Sequence, residues 1–159
     1  MRIYIESTIP SYLVARPARD LLQAARQQTS KDWWELKRHQ HELFTSEIVL
    51  AEIGEGEAAM AKQRLEVMNG ITILRVTDET EALTRRILES GLLPLDADRD
   101  AAHIALATIY EMDILLSWNC RHIANASIQA RLRRLAGQMG LVLPVLCTPD
   151  EMTGELYEQ

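Results

Sequence analysis

Between Asp98 and Asn119 the chain reads Asp-Arg-Asp-Ala-Ala-His-Ile-Ala-Leu-Ala and then, past a short turn, Ile114-Leu-Leu-Ser-Trp-Asn. The first part predicts a helix over 98–111 that opens on acids. Asp100, His103, Ile104 and Ala107 share one of its faces, and Ala102, Ala105, Leu106 and Ile109 complete an apolar surface. Its small alanines permit close packing on a sheet. The second part predicts a short strand with no polar alternation until its end. A strand of that kind is buried on both faces, as in parallel sheets covered by helices.

The rest of the chain repeats this alternation. Strands are expected at 2–5, 42–46, 71–76 and 141–146, with 114–118 as the fourth in order. Pro144 assigns the last of them to an edge, because proline lacks an amide donor. Pro17 is expected to open a helix through Gln28 with Leu21, Leu22, Ala24 and Ala25 facing inward. Thr29 or Ser30 would cap a second helix over 31–40, whose Trp33, Trp34 and Leu36 form either core or a protein contact. Ser46 caps a helix through Ile53, and a further helix runs from Ala58 to Met68. Asp78 with Glu81 has the form of a capping box. Residues 125–138 form a helix with Arg131, Arg133 and Arg134 outward, and Thr148-Pro149 opens a short terminal one. Strand–helix alternation implies a mainly parallel sheet with right-handed crossovers. Glu6 and Asn119 would then lie on one edge, where open α/β sheets bind ligands.

The 159 residues suit one domain over 1–159, with no linker or repeat. The apolar runs are shorter than a membrane span, and Glu6 and Pro10 interrupt the first of them, so no signal peptide is expected. These features predict a cytoplasmic protein with no membrane partner. Cys120 and Cys147 have no metal-ligand spacing and read as small buried or half-buried thiols. A net charge of −6 argues against a broad nucleic-acid-binding surface. It leaves room for local basic groups: Arg16, Arg19, Arg26, Lys31, Lys37 and Arg38 in one block, Arg131, Arg133 and Arg134 in another.

Four residues stand at the ends of apolar segments: Glu6, Glu52, Asp100 and Asn119. Glu52 is embedded in Ile48-Val-Leu-Ala-Glu-Ile53, where a carboxylate is costly unless paired or metal-bound. Carboxylates gathered with a neutral amide oxygen suit Mg²⁺ or Mn²⁺, which prefer oxygen ligands, and fit zinc less well. An ion held so acts on phosphate esters as a Lewis acid. His103, three positions after Asp100, could contact a phosphate or a metal-bound water, but a lone histidine on a packed helix face is more often structural, and that is the expectation here. Arg121 and His122, beside Asn119, are placed to meet a phosphate. Trp118 reads as packing.

Tyr4-Ile-Glu-Ser-Thr-Ile-Pro-Ser-Tyr12, Leu50-Ala-Glu-Ile53, Asp100-Ala-Ala-His-Ile-Ala105 and Leu115-Leu-Ser-Trp-Asn119 resemble, in order and spacing, the motifs of PIN domains of VapC type. The resemblance spans nearly the whole chain. It implies a three-layer α/β/α fold with a five-stranded parallel sheet and a Mg²⁺- or Mn²⁺-dependent endoribonuclease. It further implies a homodimeric toxin of a toxin–antitoxin pair, restrained by a small antitoxin protein, with RNA as substrate. Glu6, Glu52 and Asp100 match the family's metal-binding acids, and Asn119 falls where a fourth acid is usual. Ser7 or Thr8, and Ser117, match the hydroxyl residues that accompany the first and fourth acids. Two departures stand out. Glu6 is one methylene longer than the usual aspartate, and Asn119 removes a negative charge that Asp98 or Asp96 would have to replace. The alternative to a nuclease is a weakened or inactive PIN-like module that binds RNA or protein. A structure-specific DNA nuclease is a third reading.

Overall fold

The computed structural model describes residues 1–152; the last seven residues of the expected domain lie outside the described ones. Five strands, β1 (Arg2–Ile5), β2 (Glu42–Ser46), β3 (Thr72–Leu74), β4 (Ile114–Leu116) and β5 (Val145–Cys147), form one sheet in the order β3-β2-β1-β4-β5, all parallel. Ile3, Tyr4, Ile5, Leu115 and Leu116 are fully buried, as an unalternating central strand requires.

The connections from β1 to β2 and on to β3 step one way along the sheet. The connection from β3 to β4 leaps back over them, and β5 follows on the far side. With right-handed crossovers, the two directions put helices on opposite faces. One layer holds α1 (Thr8–Val14), α2 (Leu21–Leu36), α3 (Glu47–Ile53) and α4 (Ala58–Val67), in which α1 packs on α2 and α4. The other holds α5 (Asp78–Glu89), α6 (Asp98–Ile109) and α7 (Ala126–Gln138), with α5 packed on α6. Ala101, Ala105 and Ala107 of α6 are fully buried, so the helix lies close on the sheet. The stepping direction reverses between β1 and β4, and a crevice opens at the carboxyl ends of strands at such a point. Ile5 and Leu116 are register partners there, so Glu6 and Ser117 emerge side by side.

Several local expectations are corrected. The chain from 17 to 40 forms one long α-helix, α2, and a short 3-10 turn over Arg38–Gln40 in place of the two expected helices. Asp20, not Pro17, starts α2 by accepting from the Gln23 amide (2.9 Å), and Gln27 folds back to bind the Ala18 amide (3.0 Å) and the Arg16 carbonyl (2.9 Å), which keeps Pro17 in a loop. Ser30 is no cap, because its hydroxyl donates to the Arg26 carbonyl one turn back (2.8 Å) and accepts from Trp118 Nε1 (2.7 Å). The inward face of α2 is Gln27, Ser30 and Trp33, whereas Leu21 and Leu22 are 87% and 60% exposed. The capping box of α5 is made by Thr77 and Thr80, one residue ahead of the expected pair. Cys147 is buried, and its burial pushes the thiol up to about 12, but Cys120 is exposed. Strands β3, β4 and β5 are each three residues, shorter than expected, and β5 is an edge strand that starts just after Pro144. Arg131, Arg133 and Arg134 do point outward from α7. Among the described residues, no helix is long and apolar enough to cross a membrane.

Candidate metal centre

Glu6 follows β1 directly and is 3% exposed. A buried carboxylate needs donors, and the turn supplies them. Ser7 Oγ donates to Oε1 (2.6 Å). The Thr8 amide (3.0 Å), Thr8 Oγ1 (2.5 Å) and Ser117 Oγ (2.8 Å) donate to Oε2. Ser7 does not cap α1 with its side chain; its hydroxyl turns to the acids and donates to Glu6. Thr8 Oγ1 also accepts from the Trp118 amide (2.8 Å), so one hydroxyl ties the end of β4 to the first acid.

Glu52 comes from α3, which Ser46 starts by accepting from the Val49 amide (3.2 Å). Both Glu52 oxygens lie 3.2 Å from His103 Nε2, and the two side chains are 13% and 1% exposed. His103 Nδ1 lies 2.8 Å from the Tyr4 hydroxyl, which lies 2.7 Å from Ser46 Oγ. A line of contacts thus runs from the cap of α3 through β1 and α6 back to the last turn of α3. Burial pushes the Glu52 carboxyl up, but the hydrogen bond and charge of His103, with Ser7 and Arg99, hold it below its ordinary 4.5. Burial pushes His103 down, but the hydrogen bond to Glu52 and the charges of Glu6, Glu52 and Asp100 raise it above its ordinary 6.5.

The pair therefore stabilises the metal-free fold most between these ordinary values. The His103 share is complete below 6.5 and is lost as pH rises through its raised folded value. The Glu52 share is complete above 4.5 and is lost as pH falls through its lowered one. Urea unfolding of EDTA-treated protein across pH is expected to show both arms, with His103→Gln flattening the alkaline arm. An alkaline arm unchanged in His103→Gln would disprove the assignment.

Asp100 stands in the first turn of α6. Its Oδ1 accepts from Asn119 Nδ2 (3.0 Å) and its Oδ2 meets His122 Nδ1 (2.7 Å). Asn119 Oδ1 accepts from the His122 amide (3.0 Å), and the Asn119 amide donates to Ser117 Oγ (2.9 Å). The turn after β4 is thereby pinned to the start of α6.

Glu6, Ser7, Glu52, Asp100 and Asn119 line one cavity of about 530 Å³, together with Thr8, Asp96, Asp98, Arg64 and Arg99. The expected compensating acids Asp96 and Asp98 are thus on its wall. Ser117 reaches it through Glu6; His122 contacts it through Asp100; Arg121 is exposed and outside the lining. Among the described residues, the group whose possible ligand atoms all lie within 4.8 Å of one another is Glu6, Glu52 and His103. Asp100 lies outside that group. Beside the two expected glutamates the structure thus places a histidine. Its only sequence signal was its place one turn after Asp100. Arg64 was missed altogether. From α4 it donates through Nε to the Ile53 carbonyl (2.9 Å) and through Nη2 to that of Glu55 (2.6 Å). Arg99 grips the Glu55 carboxylate with Nη2 (2.8 Å) and Nη1 (3.3 Å).

No protein-family model matches the sequence, and no curated protein matches it either. The structure is similar to a chain in the crystal structure of VapBC2 from Rickettsia felis bound to a DNA fragment from their promoter. The TM-score is 0.58 over 93% of this chain and 97% of that one, at 15% identity. The fold is PIN-like. In this PIN-like fold the cavity occupies the switch point between β1 and β4, and every acid on its wall comes from a strand end, a helix terminus or the loop before α6.

The donor set fits a divalent ion. Five acids (Glu6, Glu52, Asp96, Asp98, Asp100) and two arginines (Arg64, Arg99) line the cavity. Such a surplus of negative charge in a half-enclosed space is costly without a cation. The described turn at Glu6 leaves its carboxylate beside Glu52, with oxygen ligands of the kind hard ions prefer.

Proposed function

We propose that this protein is a divalent-metal-dependent endoribonuclease and acts as the toxin of a toxin–antitoxin pair. The observation that carries the reading is the acid-lined cavity at the switch point of a PIN-like fold, with Glu6 and Glu52 on its wall and His103 buried behind them within ligand distance. Glu6 and Glu52 would hold Mg²⁺ or Mn²⁺. Asp100 adds its charge from the start of α6 and keeps Asn119 and His122 in place. When bound, the ion supplies Lewis-acid stabilisation of the phosphate and acidifies water.

The chain's own residues divide the remaining work. An RNA backbone is anionic, and a cavity with five acids against two arginines repels it until a cation is present. Arg64 is held by two backbone carbonyls, which leaves Nη1 to donate to a phosphate oxygen. Ser7, Thr8 and Ser117 fix the direction of the Glu6 carboxylate by giving it hydrogen bonds. His122 and Arg121 lie on the turn after β4, where a second phosphate would pass. A small antitoxin and a second copy of the chain are the proposed protein partners, and the cytoplasm the proposed site of action.

A second reading has its own observation. Asn119 and Asp100 satisfy one another, and Asn119 Oδ1 is already taken by the His122 amide. That arrangement suits a PIN-like module that binds RNA without cutting it. Two measurements separate the readings. Mn²⁺ is expected to raise the melting temperature of EDTA-treated protein, and Asp100→Asn to slow Mn²⁺-dependent cleavage of single-stranded RNA at least tenfold, which is about 1.4 kcal/mol of barrier. No thermal shift with Mn²⁺, together with cleavage untouched by Asp100→Asn, would exclude the nuclease.

A further inference from the structure

We infer that His103, through Nε2, is a direct ligand of the ion held by Glu6 and Glu52, and that the centre therefore selects nitrogen-accepting first-row ions such as Mn²⁺ and Co²⁺ over Mg²⁺. The inference rests on the metal centre of the proposed nuclease but not on its chemistry.

Three observations carry it. The first is spacing. Ligands at right angles on an ion with bonds of roughly 2.1 Å stand about 3 Å apart, and opposite ones stand roughly 4.2 Å apart. His103 Nε2 is 3.2 Å from both Glu52 oxygens, and the possible ligand atoms of Glu6, Glu52 and His103 all fall within 4.8 Å of one another. A charge-assisted N–H···O bond made for its own sake closes to about 2.7–2.9 Å on one oxygen. The bond here is long and shared equally between two.

The second is the far side of the ring. Metal-bound histidines give their other N–H to a fixed acceptor, which sets the tautomer. His103 Nδ1 faces the Tyr4 hydroxyl at 2.8 Å, and Tyr4 is fully buried. Tyr4 in turn reaches Ser46 Oγ at 2.7 Å. With the phenol proton given to Ser46, the Tyr4 oxygen accepts Nδ1–H and leaves the Nε2 lone pair facing two carboxylates. A lone pair there is repelled by both oxygens unless a cation lies between.

The third is the donor chemistry. Two carboxylates and one neutral imidazole balance a doubly charged ion. Affinity for a site with a nitrogen donor rises along the first-row series from Mn²⁺ to Co²⁺, whereas Mg²⁺ prefers oxygen, keeps its water and takes imidazole poorly.

The test measures binding, separately from cleavage. EDTA-treated protein is titrated by calorimetry with Mn²⁺, Co²⁺ and Mg²⁺ in turn, and the Mn²⁺ complex is examined by pulsed electron paramagnetic resonance for coupling to a ligand nitrogen. The wild type is expected to bind Mn²⁺ and Co²⁺ at least about tenfold more tightly than Mg²⁺, with nitrogen coupling present. His103→Gln is expected to lose about tenfold or more in Mn²⁺ and Co²⁺ affinity, to change little toward Mg²⁺, and to lose the coupling. Tyr4→Phe, which keeps the imidazole, is expected to retain the coupling with weaker binding; it carries the test if His103→Gln fails to fold. Mn²⁺ bound without nitrogen coupling, an equal loss toward all three ions in His103→Gln, or no binding of any ion overturns the inference. Nitrogen coupling without RNA cleavage keeps it and ends the nuclease reading. Cleavage supported by Mg²⁺ with no coupling does the reverse.

Discussion

Glu52→Gln is expected to lower metal-dependent RNA cleavage about a thousandfold, some 4 kcal/mol of barrier, and to abolish the rise in melting temperature caused by Mn²⁺. Glutamine keeps the shape of the side chain but removes the charge that the ion and His103 both require. Glu52 belongs both to the proposed ion site and to the His103 contact, since His103 Nε2 lies 3.2 Å from each of its oxygens. Glu6 alone leaves the ion one carboxylate fewer, and its own carboxylate is fixed in place by four hydrogen bonds from Ser7, Thr8 and Ser117. Single-turnover cleavage with Mn²⁺ and a thermal melt with and without the ion check both halves. A variant that cuts as fast as the wild type would remove Glu52 from the site.

Trp33→Ala is expected to cost about 3–5 kcal/mol of folding free energy, while Trp34→Ala costs about 1 kcal/mol or less. The two neighbours differ because α2 turns only one of them inward. Trp33 is fully buried in the main core, and Trp34 packs on it from the half-exposed flank with Arg38 over its ring (4.8 Å). The loss at Trp33 is one of packing, since its Nε1 has no hydrogen-bond partner to lose. Urea unfolding of both variants measures the difference. Equal costs would mean that α2 presents the pair as a surface contact, as one sequence reading allowed.

The Trp33–Trp34 helix shows where reading a sequence stops. Residues 21–36 carry no clean apolar stripe, so the inward face was assigned to Leu21 and Leu22, which are the most obvious hydrophobes. Those leucines are exposed, and polar Gln27 and Ser30 are inside. Each of these polar groups is buried because a distant partner accepts or donates: the loop at Arg16 and Ala18 for Gln27, Trp118 for Ser30. Ser30 looks like a helix cap when its partner 88 residues away is unknown. The site divides in the same way. Glu6, Glu52, Asp100 and Asn119 were legible because each interrupts or ends an apolar segment. His103 was assigned to structure because nothing near it in the chain distinguishes a packed histidine from one that faces two carboxylates.

The sequence by itself determined the alternation of strand and helix, hence a parallel sheet, and placed four polar residues at element ends. Those are local properties: burial on two faces, helix starts, turns. Only the tertiary structure decided which side chains meet. The order β3-β2-β1-β4-β5 brings the end of β1 beside the end of β4, and α3 opposite α6. That juxtaposition turns Glu52 and His103, 51 positions apart, into a pair, closes Asp100 against Asn119 and His122, and sets Arg64 on the cavity wall. A crossover connection carries no local pattern that names its destination, so these contacts exist only once the sheet is assembled.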